Sequence, residues 1–409
     1  MNSTIKSLLA LAFLVAVCAQ AAGQTKSSPK PSGAPIPKNE IASLKTPMIF
    51  YLAKGEPGSC GPGCSDWIAA EGTIDDSAAE RMRGFLKRQP GSKRPIYFNS
   101  PGGYAQEALA IGRLMRERGM TAGVARTLPK SCETEKECAS LKRSGQEVSA
   151  RLMNHRAQCN SACVYAIAGA RVREIGPEVS LGVHASKTVI VGKLPEDVKL
   201  RPEDAAASKA ETRQRIKRYL VEMGVQPALL DAAEKIPNES IRFLTRDEIV
   251  RFGIDTRTFV ESDWFYEGAS GPSILKLISS IDREGASYRT TTISLTCSGR
   301  YNLSVFYMRE LSPKDENLIP LKVISGDEVF ALPAGQKPVV NIDPKRYDIR
   351  RAWVPQSFFE SAVAKERVEL AELAKDSAND KPERILKLST KGLSAVLPSL
   401  IQRCVTPQG

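Results

Sequence analysis

Residues 158–170 read QCNSACVYAIAGA: a serine set between two cysteines, then a run of small and apolar side chains. Serine is a preferred residue at the start of a helix, because its hydroxyl accepts from a backbone N–H left unpaired there. Ser161 can therefore be a cap beside a disulfide, or a nucleophile seated at a helix start. Its flanks bear on the choice. Upstream, RPIYFNS (94–100) is rich in β-formers and closes on Pro101-Gly102-Gly103, where backbone N–H groups can approach a ligand because no Cβ intervenes. Downstream, VSLGVHA (179–185) reads as a strand that ends on His184. Serine chemistry needs a base within hydrogen-bond reach and donors aimed at the developing oxyanion. Glycine turn, serine and histidine follow one another at the ends of successive elements, and ligands of open α/β sheets gather at the carboxyl ends of strands.

Around this centre, the patterns predict strands over 48–55, 66–74 and 121–125, with helices over 75–90, 104–120, 211–224 and 246–254. Asp75 or Asp76 is the expected cap of the first helix, whose Met82, Phe85 and Leu86 share a face. Strands alternating with helices imply a parallel sheet with crossover helices. A charged insertion at about 126–156 interrupts the rhythm just before Ser161, where a lid would sit, and is expected to carry a helix around 147–153. After YEGASGPS (266–273) the character changes. YRTTTISLTC (288–297), YNLSVFYMREL (301–311) and KPVVNIDP (337–344) alternate as antiparallel strands do, and KGLSAVLPSLIQRC (391–404) is an amphipathic helix interrupted by Pro398.

The amino terminus has Lys6, a short apolar run from Leu8 to Val17 and small residues at Ala19-Gln20-Ala21, the pattern of a cleaved secretory signal. Cys18 offers a lipid-anchor alternative, against which the bulk of Val17 counts. Residues 22–45 are rich in Pro, Ser, Gly and Lys and read as a disordered tether. The mature chain is then expected to be soluble, in the periplasm or secreted. Its eight cysteines (Cys60, Cys64, Cys132, Cys138, Cys159, Cys163, Cys297, Cys404) read as disulfides in an oxidising compartment. Their spacing and the presence of two histidines speak against zinc, so neither metal nor cofactor is expected. Cys297 and Cys404, the last two, are expected to pair, and Cys159 to bond into the insertion rather than to Cys163. The excess of 58 Lys and Arg over 46 Asp and Glu gives a net charge of +12, with the basic residues dispersed. That arrangement excludes nucleic acid as the expected partner and allows weak contact with anionic envelope surfaces.

The stretches Phe98–Gly103, Asn160-Ser161-Ala162 and Gly182-Val183-His184, together with IRFLTRDEIVRFGIDT (241–256), resemble the Clp protease proteolytic subunit and the crotonase-like superfamily, and among them an exported, uncharacterised proteobacterial branch. The resemblance runs from about Met48 to Val260. It implies an α/β fold: a Clp protease/crotonase-like domain over 46–265 with a parallel sheet and crossover helices, followed by a smaller α+β domain over 275–409 of unknown role. It also implies that Ser161 is the nucleophile, His184 the general base, and the N–H groups of Gly103 and Ala162 the oxyanion hole. A homo-oligomer acting on peptide or protein substrates goes with it. One position departs: the family's acid lies just before the Arg-Phe-Leu run, where this chain has Ile241. Glu239, or Asn238 as the alternative, is then the candidate third member. His155 is a rival base, too close to Ser161 in sequence for a strand-borne geometry.

Three functions compete on these residues. The first is an exported serine hydrolase, a peptidase in the first instance. The second is a catalytically degenerate scaffold or binding protein, for which Ile241 and the insertion speak. The third, acyl-CoA chemistry, fits the resemblance but not the compartment.

Overall fold

The computed structural model describes residues 46–186, 202–267, 273–282, 285, 287–298, 302–311, 320–342, 345–373 and 382–405. The expected signal (1–21), Cys18 and the tether (22–45) lie outside the described residues. The chain divides into two compact units between Arg257 and Thr258.

In the N-terminal unit, β1 (Ile49–Lys54) and β2 (Asp66–Glu71) flank the Cys60–Cys64 disulfide and pair antiparallel. β2 then pairs in parallel with β3 (Ile96–Asn99), β3 with β4 (Thr121–Val124), and β4 with β8 (Val172–Glu174). α1 (Ala78–Lys87) and α2 (Ala105–Glu117) are the crossovers, each burying one apolar face: Met82, Phe85 and Leu86 from α1, Ala108, Ile111 and Met115 from α2. Asp75 does not cap α1. Its carboxylate takes Arg81 and the N–H of Ser77, and Ser77 stands at the cap position.

Two expectations for the insertion fail. Residues 147–153 form no helix: β6 (Val148–Met153) is a strand, antiparallel to β5 (Arg126–Pro129) and parallel to β1. The reason is a period of two, since Val148 and Ala150 are buried while Ser149 and Arg151 are exposed. The insertion's helix is α3 (Glu135–Arg143), started by a capping box between Thr134 and Glu137. The segment is thus built into the sheet edge, in the order β5-β6-β1-β2-β3-β4-β8, rather than standing as a lid. The sheet is accordingly mixed, not wholly parallel.

The expected pairing of Cys159 with the insertion is also corrected. Cys132 bonds Cys138 inside the insertion, and Cys159 bonds Cys163. Both partners of Cys159 and Cys163 lie on elements that the strand-to-helix turn already brings together, with Cα atoms 5.2 Å apart.

A second, small sheet holds β7 (Gln158–Asn160) and β9 (Ser180–Val183) side by side in parallel, with β10 (Arg242–Phe243) antiparallel to β9. α4 (Ala162–Ala168) follows β7 and is buried along its whole length. Small residues let it sit that deep. Gly169, at its end, lies against Gly112 of α2 so closely that a Cβ there would run into the Gly112 backbone. Tyr219 of α5 (Pro202–Glu222) reaches over to donate to the Tyr165 carbonyl at 2.9 Å. α6 (Ala228–Glu234) and α7 (Arg246–Arg251) complete the unit, α7 with a Thr245/Glu248 capping box and Gly253 at φ +71° just past its end.

The C-terminal unit is two antiparallel sheets with helices. One sheet runs β11 (Phe259–Glu261), β13 (Ser273–Ile281), β14 (Tyr288–Cys297), β15 (Asn302–Leu311), β19 (Lys345–Pro355) and β18 (Ala334–Ile342), with β12 (Phe265–Glu267) also on β13. The other runs β17 (Glu328–Leu332), β16 (Leu321–Ser325), β20 (Val368–Leu373) and β21 (Pro382–Leu388). Ile274, Leu295, Val305 and Val354 share one core with Phe358 and Phe359 of α8 (Gln356–Ala364) and with Leu397 and Leu400 of α9 (Leu393–Val405). α9 continues through Pro398 instead of stopping at it, and the expected disulfide between Cys297 and Cys404 staples it to β14.

Candidate active site

The register of the small sheet decides the geometry. Gln158 lies beside Ser180, Cys159 beside Leu181 and Asn160 beside Gly182, all in parallel. Ser161 and His184 therefore leave the carboxyl ends of neighbouring strands, on one edge of one sheet. The glycine turn meets them there. Ser100 bridges to Cys159, its N–H donating to the Gln158 carbonyl (2.8 Å) while its own carbonyl accepts from Asn160 (3.0 Å).

Ser161 has φ +54° and ψ −124°, a backbone conformation that L side chains rarely adopt. It is held there from several sides. Its N–H donates to the Gly182 carbonyl at 2.7 Å, its carbonyl accepts from Val164 at 3.1 Å, and the Cys159–Cys163 disulfide brackets it. Its hydroxyl makes no capping bond, so the first of the two readings of the serine, a helix cap, does not describe it.

Gly102 (φ +106°) packs on this turn: a Cβ placed there would lie 2.6 Å from the Asn160 carbonyl oxygen and 2.7 Å from Ser161 Cβ. Gly103 (φ +143°) bridges Ile74, whose N–H donates to the Gly102 carbonyl and whose carbonyl accepts from Tyr104. In such a parallel bridge the bonds go to the residues on either side of Gly103, so its own N–H points away from Ile74. The N–H of Ala162, in the first turn of α4, has no partner within its helix.

His184 is half-buried, and its Nδ1 lies 2.9 Å from the Ala185 carbonyl oxygen. A carbonyl can only accept, so this bond places the proton on Nδ1 and leaves Nε2 with its lone pair. Ala185 is tied in turn through its N–H, which donates to the Ile236 carbonyl at 2.9 Å. Among the described residues no hydrogen bond joins Ser161 Oγ to His184.

The third-member candidates stand elsewhere. Asn238 Nδ2 donates to Glu239 Oε1 at 3.5 Å on an exposed loop, and neither residue is brought onto His184. Arg242 faces Val183 in the antiparallel pair, so one further step of the register puts Ile241 across from His184. Its side chain folds over Gly182, where a Cβ would collide with it. His155 lies in the turn between β6 and β7, where its carbonyl accepts from Arg126 at 3.5 Å. Among the described residues no cluster of His, Cys, Asp or Glu side chains gathers to hold a metal ion.

Two parts of the site carry no chemical signal in the sequence. One is the Ala185 carbonyl, which any residue would supply. The other is Asn160, 6 % exposed, whose Nδ2 donates to Gln158 Oε1 at 2.5 Å while its Oδ1 is buried with no hydrogen-bond partner among the described residues. The only sequence mark of Asn160 is its place immediately before Ser161.

No family model and no curated protein matches the chain. Solved structures do, at low similarity. A ClpP1 mutant from Listeria monocytogenes is 17% identical with a TM-score of 0.28, over 45% of this chain and 85% of that one. A mutant of the 1510-N membrane-bound stomatin-specific protease is 13% identical with a TM-score of 0.26, over 46% of this chain and 75% of that one. A second mutant of that protease, in complex with a substrate peptide, is 16% identical with a TM-score of 0.27, over 46% and 71%.

Proposed function

We propose that the chain is an exported serine hydrolase that cleaves peptide bonds, with Ser161 as nucleophile and His184 as general base. The observation that carries the reading is the Ser161 backbone at φ +54° and ψ −124°. Strain of about 1–3 kcal/mol persists where the surroundings over-determine it, and it clusters at active sites. Here it turns a serine out of a helix start beside a glycine turn, with a histidine leaving the next strand. In the reaction, Oγ adds to the substrate carbonyl carbon as His184 Nε2 takes its proton. The N–H groups of Gly103 and Ala162 receive the oxyanion. Collapse expels the amine, protonated by His184, and water then hydrolyses the acyl-enzyme by the same route. The Nδ1–H bond to the Ala185 carbonyl favours the tautomer this sequence of steps needs.

Four disulfides support an oxidising compartment, and with it the signal over 1–21 and the tether over 22–45. The same proposal takes 46–265 as a Clp protease/crotonase-like domain, 275–409 as an accessory α+β domain, and a homo-oligomer as the working form. A second reading has an observation of its own. An aliphatic side chain stands across from His184 where a carboxylate would orient the ring, as expected of a scaffold that kept the fold and lost the chemistry.

The test is covalent labelling of the purified protein with a fluorophosphonate probe. Labelling that Ser161→Ala and His184→Ala abolish, and that Glu239→Gln and Asn238→Ala leave unchanged, is the expected result. An unlabelled wild-type protein would favour the scaffold.

A further inference from the structure

We infer that the Cys159–Cys163 disulfide is a positioning staple for Ser161, holding the serine in its left-handed backbone conformation. This deepens the hydrolase reading and rests on it only for the kinetic consequence. The two cysteines stand two residues before and two residues after the strained position, one in the middle of β7 and one in the first turn of α4. Both are fully buried in the core that α4 enters. Beside the disulfide, the turn is held by hydrogen bonds from Ser161 N–H to the Gly182 carbonyl, from Val164 N–H to the Ser161 carbonyl and from Asn160 N–H to the Ser100 carbonyl, and by the contact with Gly102. A seven-residue helix gains little from propagation, so its first turn depends on packing and on what ties it down.

Loop length argues the same way. A disulfide restricts the unfolded chain more as the loop it closes grows. With a separation of 4, Cys159–Cys163 does less than half as much of this as Cys297–Cys404, with a separation of 107. The short bridge acts chiefly on local geometry, and the geometry it encloses is that of Ser161. Cys60–Cys64 has the same separation, but the residues it encloses at positive φ are the glycines Gly61 and Gly63, which need no staple.

The test is a stability cycle in the full chain that needs no activity. Ser161→Gly and Ser161→Ala are compared in two backgrounds: wild type, and the pair Cys159→Ala/Cys163→Ala. With the disulfide present, glycine relieves the strain that alanine keeps, so the Gly variant melts about 2–4 °C above the Ala variant. Without it, residue 161 relaxes and the order reverses, since glycine then has only its greater unfolded-state entropy. The same difference in both backgrounds would overturn the inference. If the cysteine pair does not fold, the first comparison still decides: an Ala variant more stable than the Gly variant means there is no strain to hold. Where wild type takes the fluorophosphonate, the cysteine-free pair should label at least about 10-fold more slowly at a temperature well below its melting point, and an unchanged rate would count against the staple.

Discussion

Gly102→Ala tests the packing that joins the glycine turn to the serine. At φ +106° the new side chain meets backbone strain of about 1–3 kcal/mol. It also meets atoms that cannot swing away, with Ser161 Cβ at 2.7 Å and the Asn160 carbonyl oxygen at 2.6 Å. Ordinary contact for a Cβ begins at 3.4 Å, so the two turns must part by about 0.8 Å. Forcing extra atoms into a packed interior adds about 1–3 kcal/mol, for a total of about 2–6 kcal/mol. Gly91→Ala is the control, because Gly91 has φ +70° and nothing within 4 Å of its Cβ position. It should lose only the strain, about 1 kcal/mol. Urea unfolding of both variants measures the difference. On the hydrolase reading, a shift of this size at Ser161 should also slow probe labelling by about 10²-fold in Gly102→Ala and leave Gly91→Ala unaffected. Equal midpoints for the two variants would refute the close approach of Gly102 to Ser161, and with it the shared site.

Asp255 offers a pH dependence. Burial opposes its ionisation, but hydrogen bonds from Arg257 and Arg246, the charge of Arg257 and the Ile175 N–H outweigh it and bring it down to about 2. A carboxylate depressed in the folded state stabilises above its unfolded value of about 3.9, so about 2 kcal/mol should disappear as pH falls from about 4 to about 2. Asp255→Asn should flatten that part of a plot of urea midpoint against pH and cost about 3 kcal/mol at neutral pH, since the arginines stay behind. Replacing Cys297 and Cys404 by alanine should cost the C-terminal unit about 4–5 kcal/mol on the loop-entropy account. A thermal scan that shows no shift would mean the reduced loop is already ordered. Ile241→Asp should place a carboxylate across from His184 and speed probe labelling by about 10-fold or more, because an ionised orienter stabilises the imidazolium formed in the transition state. An unchanged rate would mean that the Ala185 carbonyl already supplies what the ring needs.

Much of the fold could be read from hydrophobic period, because the strands and helices that carry the core are also those with the cleanest patterns. The α2 sequence places Ala108, Ile111 and Met115 on one face, and the structure buries them. The insertion defeated this reading at 147–153. Val148 and Ala150 alternate with polar neighbours over only four residues, too few to separate a strand from a helix face without knowing that β1 waits beside them. The helix that does form there was signalled by Thr134 and Glu137, a capping box whose weight lay in local chemistry rather than in any apolar stripe: α3 buries none of its residues. The direction of β1 against β2 was equally out of reach, since a pairing direction depends on tertiary contacts and leaves little mark on composition.

The site was legible as far as side chains carry it and no further. Serine and histidine stand out in the sequence by residue type, and the glycines by the positive φ they permit. What orients them is backbone. The Ala185 carbonyl that accepts from His184 Nδ1 would be the same atom under any side chain, so a search for a third residue is drawn to carboxylates such as Glu239 that stand elsewhere. The cysteines show the same limit from another side. Pairing Cys159 with the insertion follows from reading that segment as a lid that a disulfide would pin. Pairing it with Cys163 follows only once Ser161 is known to bend the chain back on itself, bringing the two Cα atoms to 5.2 Å. The strained serine and the short disulfide are thus one local fact seen twice, and neither can be inferred from the sequence without the other.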